Sequence, residues 1–151
     1  MSRVSIYLNF MGQTEEAFRF YKSVFGTEFD TTMGAPIQYM RDVPAAPGQP
    51  ELPENEKDMV MHVALPILNS TVLMGTDALK SMGHEIKVGN NVSINLEPDT
   101  RAETEHLFTA LSEGASDVFA LQEMFWGGYW GSLQDKYGVR WMFNCAEKKA
   151  E

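Results

Sequence analysis

The sequence predicts an α+β fold built from two βαβββ halves. Three observations carry that prediction. The first is self-similarity. Displaced by 88 positions, residues 4–26 find seven identities: Val4, Ser5, Ile6, Leu8, Glu15, Phe20 and Gly26 meet Val92, Ser93, Ile94, Leu96, Glu103, Phe108 and Gly114. The second is order within each copy, which runs from an alternating strand through a polar cap and an amphipathic helix to a closing glycine. The third is the set of strand-like segments after each copy, divided by turn residues. A repeating unit cannot bury its apolar face alone and needs its twin. The 151 residues are therefore read as a single domain, with pseudo-repeats at about 3–77 and 90–146 around a shared surface.

Each element has a local reason. Val4, Ile6, Leu8 and Phe10 alternate with Ser5, Tyr7 and Asn9, the period of a strand with two unlike faces. Thr14 is read as the N-cap of the first helix, with Glu15 and Glu16 complementing its positive end. Ala17, Phe20, Tyr21, Val24 and Phe25 form a buried stripe, and Gly26 closes the helix. Residues 27–33 are read as a second strand. Residues 34–57 hold Pro36, Pro44, Pro47, Pro50 and Pro53; proline removes ladder donors, so this is read as a long loop, either a lid or a disordered insertion. Residues 59–67 and 70–77 form a strand hairpin, and 77–89 are irregular.

The second copy repeats the scheme. Val92, Ile94 and Leu96 alternate with polar residues. Thr100 and Glu103 have capping-box spacing. Leu107, Phe108 and Leu111 give the helix a buried side, and Gly114 ends it. Residues 115–123, 129–134 and 139–146 are the remaining strands, the last two hinged on Asp135-Lys136-Tyr137-Gly138.

Composition narrows the function. A net charge of −9 argues against nucleic acid and against an anionic membrane surface, because phosphate binding needs clustered Lys and Arg. Cys145 is the single cysteine, so no internal disulfide is expected and a reducing cytoplasm fits. No apolar run reaches membrane-spanning length. Neither a G-x-x-x-x-G-K-[ST] nor a G-x-G-x-x-G run occurs, so no phosphate-cradling or nucleotide-type cofactor turn is supported.

Several motifs together resemble the vicinal oxygen chelate superfamily, which includes glyoxalase I, ring-cleaving dioxygenases, fosfomycin-resistance enzymes and metal-free bleomycin-binding proteins. They are Phe20-Tyr21 ahead of Phe25-Gly26, and Asp135-Lys136-Tyr137-Gly138-Val139-x-Trp141. Within the superfamily the chain is similar to the PhnB-like branch. The residues that carry this are Met61-His62, Met74-Gly75-Thr76-Asp77, Glu123-x-Phe125-Trp126-Gly127 and Trp141-Met142-x-Asn144. The resemblance covers nearly the whole chain. It implies a glyoxalase/bleomycin-resistance-like curved mixed sheet with helices outside. It also implies a homodimer, because superfamily modules pair edge to edge.

The superfamily's enzymes hold a divalent metal that chelates two adjacent substrate oxygens, with ligands from the first and fourth strands of each half. On this sequence those positions resemble Ser5, Met74, Ser93 and Met142. A hard divalent ion wants carboxylate or imidazole, not hydroxyl and thioether. The expectation is therefore no cofactor and no metal at the usual place, a divalent ion being admissible only at a non-standard site.

The remaining chemistry rests on few residues. His62 lies on an otherwise apolar strand, as a general base, a relocated ligand or a core histidine. Glu123 and Asp77 end strands, where a carboxylate beside His62 would make an acid/base pair; each could equally be a solvated or capping residue. Arg140 is the candidate for holding an anionic group. Trp126 and Trp130 belong to an aromatic cluster that either walls a pocket or covers the sheet. Tyr7 and Asn9 on the first strand, and Met142 and Asn144 on the last, complete the candidate ligand-binding set. Two functions are compatible with these residues: a small-molecule binding protein, or a lyase, isomerase or transferase using His62 with a partial metal site or none.

Overall fold

The computed structural model describes residues 2–69 and 71–151. The chain forms two compact units, Met1–Lys87 and Val88–Glu151, and one pseudo-repeat falls in each. The first contains β1 (Ile6–Phe10), α1 (Thr14–Phe25), β2 (Ile37–Tyr39), α2 (Glu54–Lys57), β3 (Val60–Pro66) and β4 (Val72–Asp77). Its sheet has the order β1-β4-β3-β2. The second contains β5 (Ile94–Leu96), α3 (Arg101–Leu111), β6 (Ser116–Glu123), β7 (Tyr129–Gln134) and β8 (Arg140–Cys145). Its sheet has the matching order β5-β8-β7-β6. In both, the first and fourth strands are parallel neighbours and the other pairs antiparallel. The mixed α+β plan of two βαβββ units is the predicted one.

Alternation divides each sheet into a helix-covered face and an open face. In the first unit Phe10, Leu73, Gly75 and Asp77 are buried, whereas Tyr7 and Asn9 are exposed. Thr14, Ala17, Phe18, Tyr21 and Val24 form the buried side of α1. The ring of Phe18 lies so close over Gly75 that a Cβ there would overlap it; glycine here sets the distance between helix and sheet. In the second unit Trp141, Phe143 and Cys145 are fully buried, and Phe143 meets Phe108 of α3 edge-on at 5.2 Å between ring centres.

The first helix is capped differently from the sequence reading. Thr14 is its first helical residue, and Gln13 before it makes no side-chain cap bond. The carboxylate of Asp77, at the end of β4, does that work. Its Oδ1 accepts from the backbone N–H of Gly12 at 2.9 Å and of Thr14 at 3.2 Å, and from the Thr14 hydroxyl at 2.6 Å. Its Oδ2 accepts from the Val60 N–H at 2.8 Å. A carboxylate suits the positive end of a helix, and this one ties α1, β3 and β4 together. The second helix is capped as predicted, with the Thr100 hydroxyl accepting from the Glu103 N–H at 3.1 Å.

Four expectations are corrected. Residues 27–33 form no strand; the second strand is Ile37–Tyr39, inside the stretch read as loop. That stretch also holds a 3-10 turn, Met40–Asp42, and α2. It is fastened at Glu56, whose buried carboxylate accepts from the Ser81 N–H at 3.0 Å and from the Ser81 hydroxyl. Val4 and Val92 lie outside the strands they were assigned to, and both are exposed. Finally, the 88-residue spacing does not hold for the helix faces. It would carry Ala17, Tyr21 and Val24 to residues 105, 109 and 112, whereas the buried or half-buried positions are Thr104, Phe108 and Leu111. The face has moved by one residue. Ser70, proposed as the first residue of the fourth strand, lies outside the described residues.

Candidate functional site

The open face of the first sheet carries the strongest grouping. The pairings Tyr7↔Met74 and Ala64↔Met74 put Tyr7, Met74 and Ala64 in one row across the strands. Asn9↔Thr76 and Gln38↔His62 give the next positions along them. Tyr7 Oη lies 3.0 Å from His62 Nδ1, with the rings tilted at 42° and their centres 5.9 Å apart. His62 Nε2 meets no protein partner among the described residues. A pocket of about 80 Å³ opens beside the pair, lined by Arg3, Asp30, Gln38, His62, Ala64 and Met74 among others.

The electrostatics derive from the same contacts. Burial pushes the Tyr7 phenol up from its ordinary value, so it remains a neutral O–H across the physiological range. A neutral phenol can donate to Nδ1, leaving Nε2–H as a donor. It can also accept from Nδ1–H, leaving Nε2 as a base. Asp30 is held below the usual carboxylate range, chiefly by the backbone N–H of Thr32, which donates to its Oδ1 at 2.8 Å. The pocket thus has a fixed anion, the Arg3 cation and an imidazole that can switch roles.

The open face of the second sheet carries Arg140, Met142 and Asn144 in one line along β8. Met142 pairs with Ser132 and with Asn95, and Asn144 with Trp130. Trp126 is half exposed, its ring centre 6.5 Å from that of Trp130. Phe125, in the same aromatic run, is almost wholly exposed.

Not every candidate belongs to these faces. Asp77 is 4% exposed and both its oxygens are committed to the scaffold, so it is no acid/base partner for His62. Glu123 is on the wrong side of its sheet. It pairs with Tyr129, which pairs with the buried Cys145, and it forms an ion pair with Arg101 at the start of α3. Arg101 also lies over the Tyr129 ring, 4.4 Å from its centre. The Asp135 motif is a hinge. Its Oδ1 accepts from the N–H groups of Tyr137 at 2.8 Å and Val139 at 3.0 Å, and its Oδ2 from the Trp141 indole at 2.8 Å. Sequence reading missed Arg3, Asp30 and Gln38. The alternation of Ile37, Gln38 and Tyr39 would have been the signal for the last of these.

The positions matched to the superfamily's metal ligands do not fit a hard ion. Ser5 and Ser93 lie just before β1 and β5 and are exposed. Met74 and Met142 offer only thioethers. Among the described residues, no three His, Cys, Asp or Glu side chains come together in a way that could hold a metal ion.

A family model described as 3-demethylubiquinone-9 3-methyltransferase matches residues 2–143. The chain belongs to this family. Three proteins are similar to it over nearly their full lengths. Protein PA1353 from Pseudomonas aeruginosa is 33% identical, with 99% of this chain and 100% of that one covered and a TM-score of 0.80. A Bacillus cereus PhnB protein, described as a putative 3-demethylubiquinone-9 3-methyltransferase, is 24% identical, with coverage of 96% and 100% and a TM-score of 0.70. Protein YjdN of Escherichia coli K12 is 26% identical over 148 residues, 97% of each chain. Solved glyoxalase/bleomycin resistance/dioxygenase proteins at 19% and 10% identity share the fold. The PhnB-like resemblance and the fold class therefore stand. No helix is long and apolar enough to cross a membrane among the described residues.

Proposed function

We propose that this chain binds a small organic molecule on its open sheet faces, without the superfamily's usual metal site. The observation that carries the reading is the Tyr7–His62 contact, whose imidazole lines a pocket together with Met74. The lining mixes apolar Ala64 and Met74 with Arg3, Asp30, Gln38 and His62, so it offers both contact surface and polar groups to orient a small ligand. The chain acts as a homodimer in a reducing cytoplasm, with no nucleic acid or membrane partner. Its net charge of −9 and lone buried Cys145 support that setting.

Elemental analysis of the purified protein tests the metal-free reading. The expected result is no stoichiometric Zn, Ni, Mn or Fe. One metal per chain, lost in His62→Ala, would overturn it. Light scattering is expected to give twice the 17.0 kDa of one chain.

A second reading, a His-based lyase, isomerase or transferase, is favoured by one observation. His62 Nε2 has no partner among the described residues and its imidazole lines a pocket, so it can take a proton from a bound substrate. With Asp77 and Glu123 occupied elsewhere, Tyr7 is the group that would orient that base.

A further inference from the structure

The open face of the second sheet holds polar groups that the protein leaves unsatisfied. The Arg140 side chain is 20% exposed. Its Nη1 makes long hydrogen bonds to Asp117 Oδ2 and Gln134 Oε1, each at 3.3 Å, the first also an ion pair. Its Nε and Nη2, the edge that grips a carboxylate with two parallel bonds, meet no acceptor among the described residues. Four residues along β8, Asn144 Oδ1 is buried and has no hydrogen-bond partner. Buried carbonyl oxygens are rarely left so. Met142 lies between the two, and Trp130, paired with Asn144 across the strands, stands beside them with Trp126 edge-on to it.

We infer that this face takes a flat aromatic acid. Its carboxylate sits on the free Nε/Nη2 edge of Arg140, its ring lies over Met142 against Trp130, and a hydroxyl at its far end donates to Asn144 Oδ1. The spacing argues for two rings rather than one, because four residues of strand separate the Cα atoms of Arg140 and Asn144 by roughly 13 Å. Asp117 does not compete for the same edge. It contacts Nη1 only. The inference rests on the small-molecule reading and names the ligand chemistry of one face.

Calorimetry on the full chain tests it, with 6-hydroxy-2-naphthoate, 2-naphthoate and 2-naphthol as probes. The hydroxy acid is expected to bind best. Arg140→Met should weaken both acids at least tenfold and leave 2-naphthol unchanged, and Arg140→Lys should recover only part of the loss. Asn144→Leu should abolish the preference for the hydroxy acid over 2-naphthoate. Circular dichroism on each variant separates lost binding from lost folding, and Arg140→Lys remains the readout if Arg140→Met does not fold. Binding of the acids that survives Arg140→Met but is lost in His62→Ala would overturn the inference and leave the small-molecule reading intact. Absence of binding by all three probes would also overturn it, while the metal analysis decides the broader reading separately.

Discussion

The two units share a strand order but place their buried carboxylates at opposite ends of corresponding hairpins. In the first, the turn between β3 and β4 begins at the apolar Ile67, whose N–H bonds to the Thr71 carbonyl. The carboxylate, Asp77, is at the far end. In the second, the turn between β7 and β8 begins at Asp135, whose N–H bonds to the Val139 carbonyl in the same way, and the far end carries Cys145. The register shows the correspondence: Leu8 faces Gly75 and Leu96 faces Phe143, so Asp77 and Cys145 occupy equivalent sites. What a duplicated scaffold keeps is its backbone ladder. The polar peg that locks helix to sheet, or hinge to tryptophan, is reassigned in each copy.

The largest test of that contrast is Asp77→Ala. It strands four donor groups that now share one carboxylate, and about 3–5 kcal/mol of stability should be lost in chemical denaturation. Cys145→Ala, at the equivalent site, should cost about 1 kcal/mol, since only a small buried sulfur is removed. Equal losses would mean that the carboxylate is not the peg. Next comes Gly75→Ala. An added methyl collides with the buried Phe18 ring, and overpacking of this kind costs about 1–3 kcal/mol. The paired change with Phe18→Leu should recover part of that loss.

The smallest effect concerns one identity of the repeat, Glu15 and Glu103. Glu15 accepts from the Tyr39 hydroxyl at 2.7 Å and pairs with Arg19 at 2.9 Å. The Tyr39 bond, first, and Arg19 hold its carboxyl below the ordinary value. A lowered folded pKa contributes stability that is present above the unfolded value and is lost as pH falls through the folded one. Tyr39→Phe should therefore reduce the fall in stability below about pH 4.5, by less than about 1 kcal/mol because the pair is largely solvated. Glu103 has no side-chain hydrogen-bond or ion-pair partner among the described residues, so Glu103→Gln removes no contact of this kind and is the control. Thermal melts at a series of pH values read both.

Periodicity made most of this fold legible. The strands ending at Pro66, Asp77, Gln134 and Cys145 and both long helices arise from apolar spacing, and the second helix from its cap as well. The strand Ile37–Tyr39 was hidden because proline density around it outweighed three residues of alternation. The strand expected at residues 27–33 failed because short β propensity yields to what the neighbouring backbone can pair with. The site was legible in part. Tyr7, Asn9, Arg140, Met142 and Asn144 lie on open faces because residues two apart share a side. Asp77 was misread because a carboxylate that pegs a helix and one that moves a proton look alike at a strand end. Glu123 required the register of β6, where pairing with β7 shifts twice, between Ser116 and Phe119 and between Phe119 and Gln122. The contact between Tyr7 and His62 spans 55 positions, a distance over which no local pattern reports.

Those two shifts along β6 have a consequence for which strands could add to this edge. β6 borders its sheet, and Val118 and Phe119 on it are exposed, a composition that invites another extended chain to add on. Asp117 turns left-handed there, with φ at 49°, and the unpaired N–H and C=O groups fall out of step with any regular incoming strand. The border is apolar yet uneven, and so it resists the runaway stacking that a straight one would seed.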